Sequence, residues 1–310
     1  MPKVDVKTKK SKVKKKSTET DKLVISTNSV RRLSNVWKLS QDCLKPLWRY
    51  RYVFLGILFV YGVLNLIFAQ GFSAGLNVIS TKNELKSLVG EKSNTLSGGL
   101  TVYGLMIVSL AGGGTAGGSL GYSIIFFIIG SLAIIWAIRN AFNDVRVRIR
   151  DAYYKGMYPL VPFVVILLLI CIELLPMLAG VSVYVFSINN GIAITIIEKS
   201  VFVLLMLLLS ALTLFLLSSS LFALYIVTLP DMTPLKALRS ARNLVKKRRL
   251  AVIARIIYLP VVLFIISAII SLPLIIFAAS IVPWVFMLIA LLSLMIAHGY
   301  FYNLYRELLM

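Results

Sequence analysis

Long, uninterrupted apolar runs dominate this chain, and polar residues gather between them. The runs do not alternate apolar with polar residues, as half-buried strands do. A helix needs about 20 apolar residues to cross a bilayer, and helices and closed barrels are the structures that satisfy the backbone in lipid. We therefore predict an all-α, polytopic transmembrane bundle of about six spanning helices. The predicted spans are 52–69, 122–138, 160–185, 201–227, 256–280 and 284–300.

A shorter apolar run at 100–111 is not counted as a span. If it crossed the membrane, the basic loop after the second span would lie opposite the N-terminus, against the positive-inside rule. We expect this run to be a re-entrant or surface-packed piece of an external loop.

Charge is placed very unevenly around these spans. The chain has 33 Lys and Arg against 12 Asp and Glu, a net charge of +21. With six spans, only Lys82, Lys86, Lys92 and Lys199 fall in external loops. The positive-inside rule then predicts cytoplasmic N- and C-termini for a multi-pass membrane protein.

The N-terminal region divides into a tail and an interfacial segment. Residues 1–29 are rich in lysine and poor in apolar residues, which predicts a disordered cytoplasmic tail ahead of a membrane domain at 30–310. The tail either sets topology or tethers the chain to anionic lipid, and no nucleic-acid partner is expected because no aromatic residues interleave with the lysines. Residues 30–51 predict an interfacial helix broken near Pro46, with Trp37 and Trp48 at headgroup depth.

The stretch 229–255 is the strongest basic segment between spans. Thr233 and Pro234 predict an N-cap and a first helical position, because proline has no N–H to lose there. Leu238, Ala241 and Val245 recur at helical spacing and form an apolar stripe.

Cations flank this stripe, which is the pattern of a helix lying at a membrane surface. An ordinary basic loop that sets topology remains an open alternative, and a helix packed on its own bundle is compatible with both interpretations. The residues predicted to contact lipid headgroups or a partner are Lys236, Arg239, Arg242, Lys246 and Arg249.

A weak internal repeat runs through the chain. A basic amphipathic stretch, a span, an external turn and a second span follow one another three times in the same direction. The proline pairs Pro162/Pro176 and Pro260/Pro273 have nearly equal separations. Duplication would explain the pattern, and so would any stack of hairpins that obeys the positive-inside rule.

Few residues can carry chemistry. Glu173 is the one acidic residue deep in a predicted span, either a proton or cation site beside the Pro176 break or a neutral acid bonded to a neighbouring helix. His298 stands alone in the last apolar run. Cys43 lies in the basic N-terminal region and Cys171 lies in an apolar run, so we expect no disulfide between them, and no cluster of Cys and His residues suggests a metal site. We predict no catalytic site, no metal and no cofactor.

The segment 234–247 carries a family resemblance through Pro234, Ala237, Leu238, Ser240 and Leu244. It resembles the internal basic segment of the six-helix membrane domain of bacterial glycerophosphoryl diester phosphodiesterases and of related stand-alone membrane proteins of unknown function. The pattern of spans extends the resemblance over about 31–307. It implies a bacterial cytoplasmic membrane, but no phosphodiesterase activity, because in that family a separate soluble barrel carries the chemistry.

Two functions are therefore weighed for the chain. The first is a non-enzymatic protein that organises the envelope or assists a membrane partner through a basic, lipid-facing cytoplasmic surface. The alternative is a transporter of a lipid or small molecule that uses Glu173. An intramembrane enzyme is disfavoured because no nucleophile and base are paired in the sequence.

Overall fold

Helices make up nearly all of the part of the chain that the structure describes, and no strand occurs in that part. The computed structural model describes residues 35–70, 119–145, 147–230, 232–246, 248–278 and 281–309. The predicted tail at 1–29 and the predicted re-entrant piece at 100–111 lie outside these residues.

Six helices in the described part of the chain are long and apolar enough to cross a membrane, which confirms the predicted all-α, multi-pass class. The described helices are α1 (Val36–Arg49), α2 (Arg51–Leu64, continued by a π-helical turn at Asn65–Gln70), α3 (Ser119–Phe142), α4 (Ile149–Gly156), α5 (Leu160–Asn189), α6 (Ile196–Ile226), α7 (Pro234–Val245), α8 (Arg249–Phe277) and α9 (Val282–Leu309). The long apolar helices are α2, α3, α5, α6, α8 and α9, and each pair of them follows one of the shorter helices α1, α4 and α7.

The short helices α1, α4 and α7 are amphipathic, and each precedes one pair of spanning helices. Their buried residues recur every four positions, so each helix buries a single stripe. The stripes are Leu39, Cys43 and Leu47 in α1, Ala152 and Gly156 in α4, and Ala237, Ala241 and Val245 in α7. In all three cases the last buried residue lies four positions before the next spanning helix begins.

The contacts of the short helices follow one rule. Helix α4 packs on α3, α7 packs on α6, and α1 packs on α9, which in each case is the second spanning helix of the neighbouring pair. The first spanning helices obey the same rule, since α5 contacts α3, α8 contacts α6 and α2 contacts α9. Three units, α1–α3, α4–α6 and α7–α9, therefore close into a ring, as a parallel repeat would.

The proline pairs do not mark equivalent positions in these units. Pro162 is the third residue of α5, whereas Pro260 is the twelfth residue of α8. The nearly equal separations within the pairs therefore do not support the repeat, which rests instead on the helix order and the contacts.

The ends of α3, α6 and α9 meet at one end of the bundle. Arg139 of α3 bonds Thr228 just beyond α6, and Arg306 of α9 lies over the ring of Phe142, 4.7 Å from its centroid. We call this end, with α1, α4 and α7, the basic end. Of the described Lys and Arg residues, only Lys199 lies at the opposite end.

Burial is concentrated at the basic end. In α6 no residue from 196 to 212 is buried, whereas Ser218–Ser220 and Phe222 are. Helix α6 has 31 residues, so at 1.5 Å per residue it is about 46 Å long, well beyond a hydrocarbon core of about 30 Å.

Two sequence predictions need correction. Helix α1 is not broken near Pro46, because the ring removes one N–H from a part-exposed turn and the helix continues to Arg49. The chain bends at Tyr50 instead, where φ is −103° and ψ is 27°. Helix α8 starts at Arg249, earlier than the predicted span at 256, because basic residues extend its first turns beyond the apolar run.

Candidate functional site

Helix α7 begins where the sequence predicts. Thr233 is extended, with φ −82° and ψ 153°, and Pro234 is the first helical residue. The Thr233 hydroxyl makes no capping bond, and the first intrahelical bond runs from the Ala237 N–H to the Thr233 carbonyl. The buried stripe packs on α6 rather than lying free at the surface, with Leu238 half-buried at its border.

The structure brings together four of the five predicted contact cations. Lys236, Arg239 and Arg242 are exposed on α7, and Lys246 is exposed directly after its last residue. No ion pair involves these four residues in the part of the chain that is described. We call these four residues the α7 basic face. Among the residues that the structure describes, no acidic side chain forms an ion pair with this positively charged surface.

Arg249, the fifth predicted cation, is placed differently. It is the first residue of α8 and is half-buried. Its guanidinium carbon lies 3.9 Å from the centroid of the Phe215 ring of α6, a cation–π contact. Arg249 therefore joins α8 to α6 instead of extending the α7 basic face.

A cavity of about 950 Å³ opens beside α7 at the basic end. Its wall comes from the last turns of α3, the α4–α5 connection and the α6–α7 connection. Arg139 and Lys155 supply two cations, and Trp136 and Tyr154 are among the aromatic residues of a mostly apolar lining. This site is not apparent in the sequence, because its residues come from three separate loops and helix ends.

Arg139 is held at this wall by three hydrogen bonds. Nη1 donates to the Thr228 carbonyl at 2.7 Å, and Nη2 donates to the Tyr225 carbonyl at 3.3 Å and to the Thr228 hydroxyl. These carbonyls lie at the C-terminal end of α6, where a cation offsets the helix dipole. The one signal for this role in the sequence is that Arg139 directly follows an apolar run, without other charges beside it.

Glu173 of α5 bonds the neighbouring helix. Its Oε1 accepts a hydrogen bond of 2.6 Å from the Ser220 hydroxyl of α6. Its Oε2 is buried and has no hydrogen-bond partner in the described part of the chain. Nearby, the Met177 N–H donates to the Thr213 hydroxyl at 3.1 Å, so the turn containing Pro176 is also tied to α6.

His298 of α9 is buried, and its ring packs edge-on against the ring of Tyr225. Its Nδ1 is 3.1 Å from the Tyr225 hydroxyl, and its Nε2 has no partner in the described residues. Cys43 of α1 is buried against α9, where it packs on Gly299. Within the residues that the structure describes, no group of His, Cys, Asp and Glu is arranged to hold a metal ion.

These features define a polytopic membrane protein with a basic end that carries three docked amphipathic helices. No protein-family model, no curated protein and no solved structure matches the chain. The resemblance to the phosphodiesterase membrane domain therefore stays a prediction.

Proposed function

We propose that this chain is a non-enzymatic membrane protein that organises the envelope, or assists a membrane partner, by holding anionic lipid headgroups against its basic end. The proposal places the basic end, with both termini, on the cytoplasmic side of a bacterial cytoplasmic membrane, following the positive-inside rule.

The observation that carries the proposal is the α7 basic face. Burial of Ala237, Ala241 and Val245 on α6 fixes the orientation of the helix, so its four cations point outward as a group. A basic residue near an anionic leaflet contributes about 1 kcal/mol of attraction, and four such residues act on the same surface. The apolar stripe of α7 is already covered by α6, and of the large apolar side chains on α7 Leu235 is exposed. Attraction to the leaflet therefore depends mainly on charge.

Charge reversal tests this role. The variant Lys236→Glu, Arg239→Glu, Arg242→Glu and Lys246→Glu should retain less phosphatidylglycerol when purified from a mixed phosphatidylglycerol and phosphatidylcholine membrane. The matched control is Lys199→Glu, which reverses a cation at the opposite end of the bundle. Equal phosphatidylglycerol retention by the quadruple variant and the wild type would refute the proposal.

A second candidate function, transport of a lipid or small molecule, is favoured by Glu173. Its buried Oε2 has an open acceptor position in the described part of the chain, which a proton or a substrate donor could use. Glu173→Gln should change the flux of the transported lipid or small molecule in proteoliposomes, while the hydrogen bond from the Ser220 hydroxyl is kept. Ser220→Ala is the control, since it removes the interhelical bond but leaves the carboxyl group.

A further inference from the structure

We propose that the cavity beside α7 is a specific binding site for the headgroup of one anionic phospholipid, with Arg139 and Lys155 facing its phosphate. This inference rests on the proposed function but names a separate site, because neither cation belongs to the α7 basic face. Both Arg139 and Lys155 line the cavity.

The two cations differ in how they are held. Arg139 is half-buried, and its three bonds to Tyr225 and Thr228 fix the guanidinium at the wall. A guanidinium has five N–H donors, so the three hydrogen bonds to Tyr225 and Thr228 leave donors for a ligand. Lys155 is exposed and makes no ion pair in the residues that the structure describes, so its ammonium can reach a phosphate without breaking a contact.

Two helix N-termini add positive potential at the same wall. Thr233 precedes α7 and Pro159 precedes α5, and both residues line the cavity. The N–H groups of Leu235 and Lys236 precede the first intrahelical bond of α7 and carry the positive end of its dipole. The C-terminal end of α6 also meets this wall, and Arg139 offsets the negative end of its dipole. Lys155 and the two N-termini therefore supply most of the remaining attraction for an anion.

The remaining lining favours a lipid over a small soluble anion. Trp136, Tyr154 and Tyr158 line the cavity, and Tyr154 and Tyr158 are 82% and 91% exposed. Tryptophan and tyrosine are enriched at headgroup depth in membrane proteins. The rest of the lining is mostly apolar and continues onto spanning helices α3 and α5, which suits the glycerol and upper acyl region of a phospholipid.

Native mass spectrometry of the delipidated protein, titrated with phosphatidylglycerol, tests the site. We expect a first lipid that binds about tenfold more weakly to Lys155→Gln than to the wild type, because one charge-assisted hydrogen bond is lost. Lys155→Arg should restore most of this affinity, and Lys199→Gln should bind as the wild type does. An unchanged first affinity in Lys155→Gln would overturn the proposal.

Trp136 gives a second readout at the site itself. In a variant with Trp37, Trp48 and Trp284 replaced by Phe, one equivalent of phosphatidylglycerol brominated near the headgroup should quench Trp136 fluorescence. Adding Lys155→Gln should remove the quenching at that ratio. Quenching that is the same with and without Lys155 would count against the site.

Two further experiments distinguish a lipid headgroup from a soluble phosphate, and the cavity from the α7 basic face. If millimolar inorganic phosphate abolishes the first phosphatidylglycerol binding, the site takes a soluble phosphate and the lipid assignment is wrong. The α7 quadruple reversal should reduce later, weaker lipid binding and leave the first lipid bound. Loss of the first lipid in Lys155→Gln alone would support the cavity even if the α7 basic face binds no lipid.

Discussion

Arg139 near the end of α3 donates a hydrogen bond of 2.7 Å to the carbonyl oxygen of Thr228, just beyond α6. The two residues belong to different units of the ring, and the same guanidinium also bonds Tyr225. One side chain therefore satisfies the end of a spanning helix and forms part of the wall of the cavity. These two roles can be separated by comparing Arg139 with Lys155.

The first prediction concerns stability at this junction. Arg139→Gln removes charge-assisted hydrogen bonds, each contributing about 1.5–3 kcal/mol, and leaves the Thr228 carbonyl without its partner. We expect a clear fall in Tm of the purified protein in detergent, by thermal unfolding. Lys155→Gln is the control and should leave Tm unchanged, because Lys155 is exposed. Equal Tm values for wild type and Arg139→Gln would contradict the junction role.

The second prediction concerns the closely packed glycines of the ring. A methyl group at Gly299 would lie 2.8 Å from Sγ of Cys43, and one at Gly156 would lie 3.1 Å from the Leu132 carbonyl oxygen. Overpacking costs about 1–3 kcal/mol, so both alanine variants should unfold at lower temperature. Gly121→Ala is the control, since nothing lies within 4 Å of the added atom.

A double variant separates the side-chain clash from backbone effects. Adding Cys43→Ala to Gly299→Ala removes the sulfur atom and should recover part of the lost stability. No such recovery is expected at Gly156, where the neighbour is backbone of α3. If Gly299→Ala is as stable as the wild type, α1 does not pack on α9 as closely as the structure shows.

The third prediction uses the buried thiol of α1. Burial raises the pKa of Cys43 from an ordinary value of 9.0 to about 12. Because the folded value is the higher one, the stability gained by keeping the thiol protonated is complete below pH 9 and is lost as the pH rises towards 12. A water-soluble maleimide should therefore leave Cys43 unlabelled in the native protein at pH 7.5 and label it after denaturation. A Cys43→Ala variant identifies the label, and fast native labelling of Cys43 would contradict the docking of α1.

The fourth prediction tests the proposed orientation. Ser240 on α7 and Lys199 near the start of α6 are both exposed, at opposite ends of the bundle. In a Cys171→Ala background, a membrane-impermeant maleimide should label Lys199→Cys in intact cells. It should label Ser240→Cys only after the cells are permeabilised. The reverse pattern would place the basic end outside.

The six long apolar helices among the described residues and the start of α7 could be predicted from the sequence, because both depend on local features. A span is recognised by its apolar length, and Thr233–Pro234 is a local signal for a helix start. The separation of Lys199 from the other described cations follows in the same way from the order of charges along the chain.

The contacts between helices could not be predicted from the sequence, because these helices are long and apolar enough to lie in lipid rather than in water. In a bilayer, the lipid-facing and protein-facing residues of a helix are both apolar, so hydropathy does not show which face packs. Ile170 of α5 is buried while Ile172 is exposed, though both lie in the same apolar run. The cavity could not be predicted for the same reason. Arg139, Lys155 and Thr228 are distant in the sequence, and only the packing of α3, α4 and α6 brings them to one wall.

Ring closure also bears on the order in which this protein can assemble during synthesis. Asn303 of α9 donates a hydrogen bond of 3.1 Å to the Leu39 carbonyl of α1, across a separation of 264 residues. The ribosome makes α1 long before α9, so the stripe of Leu39, Cys43 and Leu47 has no α9 to cover it while the other helices are inserted. Ribosome-bound chains that stop short of α9 should therefore expose Cys43. The moment at which that thiol becomes buried would then report when α9 packs on α1, the final step of folding in the membrane.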